Sequence, residues 1–339
     1  MFYHGGGSRR NPSVMSNVET QSEHNRADAV PAARQSPQFA AATGPSYART
    51  LFLGPDGLRP GWGFAFYVLM FYAAQRLAVE LAWARDLGPS GLWSGLLEEV
   101  GNVLAALIPA VVLARVERRP WRMYGLPLKD SFGRRFWVGA IWGISAISLL
   151  MFALYALHAF SFGHLALHGA RMFRFAVYWS VMFVLVGLFE EFLLRGYTQF
   201  TLARGVGFWP AAIVLSCAFG LTHLRNNGEH WTGLIAAAFI GFFFCLTLRR
   251  TGNLWFAVGF HAAWDWGETF LYSVPDSGMV SPGHLLSSSL RGPDWLSGGS
   301  VGPEGSVLCF VVVTLVCVLF SKYYPAARIP LPGRTLPQI

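Results

Sequence analysis

Residues 189–196 read FEEFLLRG, so Glu190, Glu191 and Arg195 follow directly on the apolar run FRFAVYWSVMFVLVGL. Positions four apart on a helix share a face, which pairs Glu191 with Arg195. Glu190 lies about 100° round from Glu191 and is the poorer partner for the arginine. The arginine can then hold one carboxylate as a structural ion pair and leave the other free, the arrangement general-base chemistry needs. Two later segments carry complementary groups. CAFGLTH sets Phe219 and His223 on one helix face, and GFHAAWDW does the same for His261 and Asp265. Brought together, the three segments would let Glu190 deprotonate a water that His223 helps to position. Donors from the last segment would stabilise the oxyanion formed when that water attacks a peptide carbonyl.

The elements that must position these groups are apolar helices. Of the 339 residues, 53% are hydrophobic and 13% are charged, about half the charged share of an ordinary soluble domain. Apolar runs of about 20 residues recur along the chain, which predicts an all-α, polytopic membrane bundle of about eight transmembrane helices. The spans are expected at 63–84, 93–114, 136–158, 173–194, 208–224, 231–248, 254–272 and 306–321. A net charge of +8 would suit nucleic acid in a soluble chain. Here the arginines gather at the ends of apolar runs, which points to membrane topology and away from nucleic acid. Basic residues concentrate in the N-terminal segment, in 115–135, at Arg195, Arg204, Arg249 and Arg250, and from Lys322 onward. The alternating loops are sparse in them, so the positive-inside rule places both termini in the cytoplasm.

Residues 1–60 are rich in Ser, Gly, Pro, Gln and Ala without a helical period. They predict a disordered or membrane-surface tail, ahead of a transmembrane domain at 61–324 and a C-terminal tail at 325–339. The N-terminus lacks the apolar middle region of a cleavable signal peptide. Cys217, Cys245, Cys309 and Cys317 all lie in apolar stretches without CxxC spacing, which argues against a disulfide framework or a structural zinc site. Gly139 and Gly143 have the GxxxG spacing that allows close helix approach.

At the charged segments the sequence resembles the CPBP (CAAX protease and bacteriocin-processing) intramembrane proteases, which include the type II CAAX prenyl endopeptidases. Their pattern is EExxxR, then FxxxH, then HxxxN or HxxxD on successive core helices. Here these read EEFLLR (190–195), FGLTH (219–223) and HAAWD (261–265). The resemblance covers roughly 172–272, expected as the catalytic core. It implies a glutamate-type intramembrane endopeptidase of a bacterial plasma membrane, acting on a membrane-associated peptide or protein. CAAX-prenylated proteins are the substrates that name the family, although nothing in the chain marks a prenyl groove. By the same resemblance Glu190 is the base, His223 assists it, and His261 with Asp265 supports the oxyanion. Glu191, Arg195 and Phe219 are then supporting residues. An ionised aspartate cannot donate a hydrogen bond, so either Asp265 is protonated or it orients and charges His261.

Members of the family have also been described as metalloproteases, and Glu190, His223 and His261 are a candidate zinc set. No HExxH occurs and the three lie on separate helices, so the expectation is metal-free catalysis without a cofactor. Other readings of the same residues are a helix-locking polar network, a non-proteolytic scaffold, immunity or regulatory protein of the same fold, and a transporter with a proton relay. Serine chemistry is disfavoured, since no GxSxG-like stretch precedes a suitable histidine. A second acidic pair, Glu98 and Glu99, has Val103 where the arginine would be; it is expected to pack near Asn102 or face a polar cavity and is assigned no catalysis. Gln75, Arg76 and Glu80 read as interior polar glue, and Trp264, Trp266 and Glu268 as candidates to line a substrate cleft. One conflict is built into these boundaries. Glu190 falls near the cytoplasmic end of its span, whereas His223 falls about 15 residues, or some 22 Å, into the next.

Overall fold

The GxxxG pair marks a close joint between two helices. In the computed structural model, a Cβ at Gly139 or Gly143 would run into the carbonyl oxygens of Phe256 and Phe260, and one at Gly259 into that of Phe136. Two helices therefore lie backbone to backbone, with small residues permitting the approach as they do between membrane helices. The structure describes residues 47–54, 57–84, 92–226 and 228–329. Its helices are α1 (Tyr47–Phe52), α2 (Pro60–Ala84), α3 (Leu92–Val116), α4 (Arg134–Ala156), α5 (Gly169–Arg195), α6 (Tyr197–Val206), α7 (Phe208–Thr222), α8 (Trp231–Thr251), α9 (Trp255–Trp266), α10 (Asp294–Ser297) and α11 (Val307–Tyr323). Two-residue antiparallel pairs join Leu53–Gly54 to Gly57–Leu58 and Phe160–Ser161 to Ser289–Leu290.

Helix α9 is the centre of the bundle, packed against α4, α5 and α8. Phe256, Phe260 and Trp264 face a core shared with α4, α8 and α11. Trp255 and Val258 face a second core shared with α2, α3 and α5. A helix apolar on all sides is a buried one, and α9 breaks that rule only at His261 and Asp265. Asn253 starts it, accepting from the Trp255 backbone N–H at 3.2 Å. A π-helical turn, Gly267–Tyr272, prolongs it past Trp266.

The outward faces are apolar as well. Leu69, Trp93, Ile141, Val177, Ile213, Ile235 and Val311 are all exposed, and a surface of that kind suits hydrocarbon rather than water. Five helical stretches are long and apolar enough to cross a membrane: Pro60–Leu81, Trp93–Val116, Arg134–Ala156, Gly169–Val206 and Trp231–Thr251. The chain is a multi-pass membrane protein with a helical-bundle fold. The remaining three expected runs are helical too, but α7 has 15 residues and α9 has 12. At about 1.5 Å per residue each falls short of a hydrocarbon core about 30 Å thick.

The depth conflict is removed by α6. The expected boundary at 194 is not where the chain turns, because α6 carries it 10 residues further. Gly207, at φ 89°, then makes the turn and α7 packs back against α6. Glu191 and His223 stand equally far from Gly207 along the two arms, so the returning chain reaches the same level.

Other expectations are amended. Residues 1–46 and 330–339 lie outside the described residues, and the described end of the expected disordered or membrane-surface tail forms α1 and the pair Leu53–Gly54 with Gly57–Leu58. The N–H groups of Arg328 and Ile329 bond the Arg249 carbonyl at 2.9 and 3.2 Å, which ties the start of the C-terminal tail to α8. Gln75 does act as interior glue, donating to Asn102 at 3.2 Å. Arg76 and Glu80 instead form an exposed i,i+4 pair on the outer face of α2. All four cysteines are free.

Candidate active site

The buried end of α5 sets the frame. Glu191 and Arg195 are both fully buried, and Arg195 Nη1 donates to Glu191 Oε1 at 3.2 Å. The guanidinium also lies 4.7 Å from the Phe219 ring centre and 5.8 Å from that of Phe244, an arrangement in which ring quadrupoles attract the cation. Its Nε and Nη2 have no hydrogen-bond partner, so one carboxylate and two rings hold the charge. A Cβ at Gly241 of α8 would collide with Nη2, which is why α8 carries no side chain there.

His261 joins this pair from α9. Its Nδ1 is 3.1 Å from Glu191 Oε1, and because a carboxylate only accepts, Nδ1 donates. On the other side of the ring, Nε2 is 3.6 Å from Glu190 Oε2 and 3.5 Å from Asp265 Oδ2. Phe244 stacks on the imidazole at 5.4 Å between centroids. One imidazole thus faces three carboxylates, two from α5 and one from its own helix.

Glu190 differs from its neighbour in exposure: 27% of its side chain is accessible, against none for Glu191. It opens into a cavity of about 380 Å³ that Phe219, His223, His261 and Asp265 also line. His223 begins the short turn after α7. Its Nδ1 is 2.9 Å from the Phe219 carbonyl, which can only accept, so Nδ1 carries the hydrogen and Nε2 keeps a lone pair. The Phe219 ring stands edge-on to both imidazoles, 4.9 Å from His223 and 6.3 Å from His261. The three segments singled out in the sequence therefore meet at one cavity, with Glu191 and Arg195 behind its wall.

Other residues complete that wall. Glu99, expected near Asn102 or a polar cavity, lines this one. It accepts from Asn102 at 3.4 Å, while its Oε2 is buried without a partner. Two further members were missed from sequence. Asp276 and Glu304 also line the cavity, contributed by the loop after α9, where no periodicity marks them. Burial, and then the neighbouring Glu304 carboxylate, push the Asp276 carboxyl up to about 8. Of the cleft candidates, Trp264 lines the cavity. Trp266 turns away to donate to the Ala176 carbonyl at 3.1 Å, and Glu268 is fully buried.

The three residues of the candidate zinc set all line the cavity, and each histidine directs Nδ1 at an oxygen, which leaves Nε2 as the nitrogen for a ligand. Among the described residues, the group of acidic, His or Cys ligand atoms that converges within 4.8 Å is instead Glu268, Asp276 and Glu304.

Residues 172–267 match the family model described as Type II CAAX prenyl endopeptidase Rce1-like. The match covers under a third of the chain, nearly all of α5 through α9, and bears out the resemblance carried by the three motifs. A search of curated proteins finds no match to the chain.

Proposed function

We propose that the chain is an intramembrane endopeptidase of the CAAX-protease type, with Glu190 as the base that activates water. The observation that carries this reading is the contrast between two adjacent glutamates. Glu191 is fully buried and bound by Arg195 and His261, whereas Glu190 keeps an accessible carboxylate in a cavity that His223 shares. In the proposed step, Glu190 takes a proton from a water that donates its other hydrogen to the free lone pair of His223 Nε2. The water oxygen attacks the carbonyl carbon of the scissile peptide bond. His261, doubly protonated among its carboxylates, polarises the oxyanion that forms. Asp265 serves by orienting and charging that ring, which suits an aspartate where the family pattern also allows asparagine. Collapse breaks the C–N bond, and Glu190 delivers its proton to the leaving amine. A carboxylic acid and an amine are released, and no metal enters the balance.

Trp179, Phe183, Phe219, Phe244 and Trp264 line part of a cavity whose other lining residues are mostly polar, and that aromatic part suits an apolar or lipid-associated peptide segment. Prenylated CAAX peptides are the first substrates to test. The test compares purified wild type with Glu190→Gln and Glu98→Gln on a peptide library. Loss of a general base costs about 10²–10⁴-fold, so Glu190→Gln loses cleavage while Glu98→Gln, exposed on α3, retains it. Equal cleavage by Glu190→Gln and wild type refutes Glu190 as the base, and absence of cleavage by wild type on every substrate leaves the scaffold reading. Inhibition by a zinc-selective chelator, reversed by zinc alone, refutes the metal-free step.

A further inference from the structure

At one side of the cavity, partly in its wall, lies a second acidic constellation that the peptidase reading does not use. Glu268 belongs to the π-helical turn after α9, Asp276 to the loop beyond it, and Glu304 to the 3₁₀ turn Pro303–Gly305. One carboxylate oxygen from each lies within 4.8 Å of the others. Two of the groups are pre-oriented. Glu304 accepts from Trp264 Nε1 at 3.1 Å and from Ser277 Oγ at 2.9 Å, and Asp276 accepts from Thr269 Oγ1 at 3.0 Å. Glu268 is different: it is fully buried, and neither carboxylate oxygen has a hydrogen-bond partner. Among the described residues, no ion pair reaches any of the three.

A buried carboxylate without a partner is costly unless it is paired or coordinates a metal. Glu268 is such a group, and the Asp276 and Glu304 carboxylates that converge on it add like charge that a counter-ion would offset. We infer that Glu268, Asp276 and Glu304 form a binding site for a hard divalent cation of the calcium or magnesium class. The donor set contains only oxygens, which excludes the soft-metal chemistry of thiolates. Oxygens that all lie within 4.8 Å of one another are close enough to share one calcium ion at about 2.3–2.6 Å each. The bound ion would fasten the loop between α9 and α11 to the helix that carries His261 and Asp265. It would thereby hold the cavity wall formed by Asp276, Ser277 and Glu304. The role is structural, distinct from the catalytic zinc considered for Glu190, His223 and His261.

The test reads binding and stability, not cleavage, so it stands or falls apart from the peptidase assignment. The purified full chain in detergent is stripped with chelator and titrated with terbium as a calcium substitute. Trp264, hydrogen-bonded to Glu304, is the sensitiser. Saturable tryptophan-sensitised emission is expected, displaced by calcium or magnesium at concentrations up to about 1 mM, the weak end of protein calcium sites. The unfolding midpoint rises with the same cation. Glu268→Gln and Asp276→Asn should each weaken binding at least as much as loss of an outer-shell partner does, roughly 10–100-fold. Absence of saturable emission together with an unmoved midpoint overturns the site, as does equal binding by wild type and Glu268→Gln. A Glu268→Gln variant that is more stable than wild type while neither responds to cation also overturns it, since the three carboxyls then share protons. Where the variants do not fold, the wild-type titration decides alone.

Discussion

Replacing either member of the EE pair by glutamine removes the same charge from neighbouring positions, yet the structure assigns the two changes opposite consequences. At Glu191 the side chain is fully buried, and its Oε1 serves both Arg195 Nη1 at 3.2 Å and His261 Nδ1 at 3.1 Å. The arginine is fully buried too, and its Nε and Nη2 already lack partners. Glu191→Gln therefore leaves an uncompensated cation in the protein interior, a change that costs about 3–5 kcal/mol. Glu190→Gln leaves that pair intact and alters a group that is 27% exposed to the cavity, so its effect on stability stays near the roughly 0.5 kcal/mol of an ordinary surface change. The assay is reversible unfolding of the purified protein in mixed micelles, run in parallel with cleavage. The expected pattern is a stable, inactive Glu190→Gln and a destabilised Glu191→Gln. The double change Glu191→Gln with Arg195→Met should be clearly more stable than Glu191→Gln alone, because it removes the orphaned charge. Equal destabilisation by Glu190→Gln and Glu191→Gln would refute the division of labour between them.

Three further outcomes follow from the same geometry. His223→Ala should fold normally and lower kcat by about 10²-fold or more, measured as initial cleavage rate, since only its Nε2 contacts the attacking water in the proposed step. Gly143→Ala forces a Cβ into the Phe260 carbonyl. It should destabilise the protein by at least the roughly 1–3 kcal/mol of an overpacked core, read as a fall in unfolding midpoint. With chelator present, stability should fall as pH rises from the ordinary aspartate value of 3.8 toward about 8. Across that window the folded chain holds a proton on Asp276 that the unfolded chain has released, so raising pH favours unfolding. Asp276→Asn should flatten that part of the pH–stability curve.

Much of the site is legible in the sequence because its groups act in local pairs. Glu191 with Arg195, Phe219 with His223, and His261 with Asp265 are each set on one face by the helical repeat alone, and all three pairs are found in contact. Gly139 and Gly143 likewise declare a close helix approach through their spacing. Glu99, Asp276 and Glu304 are not legible as neighbours of Glu190, because they arrive from α3 and from a loop without a period. The short helix and strand pair ahead of Pro60 are not legible for a related reason: they are too brief to show a repeat.

What the sequence determines by itself is thus the helical membrane class, the long apolar spans and the pairing of polar groups within each helix, since these depend only on hydropathy and on the 3.6-residue turn. Which helix lies against which was decided by tertiary structure. Gly207 turns the chain 13 residues beyond the expected span end at 194, and that later turn accompanies the meeting of His223 and Glu190 at one cavity. The three carboxylates around His261 and the acidic group at one side of the cavity exist only once α5, α9 and the following loop are packed. Distances between helices are set by side-chain and backbone fit across the bundle, and no local repeat in a single strand of residues encodes that fit.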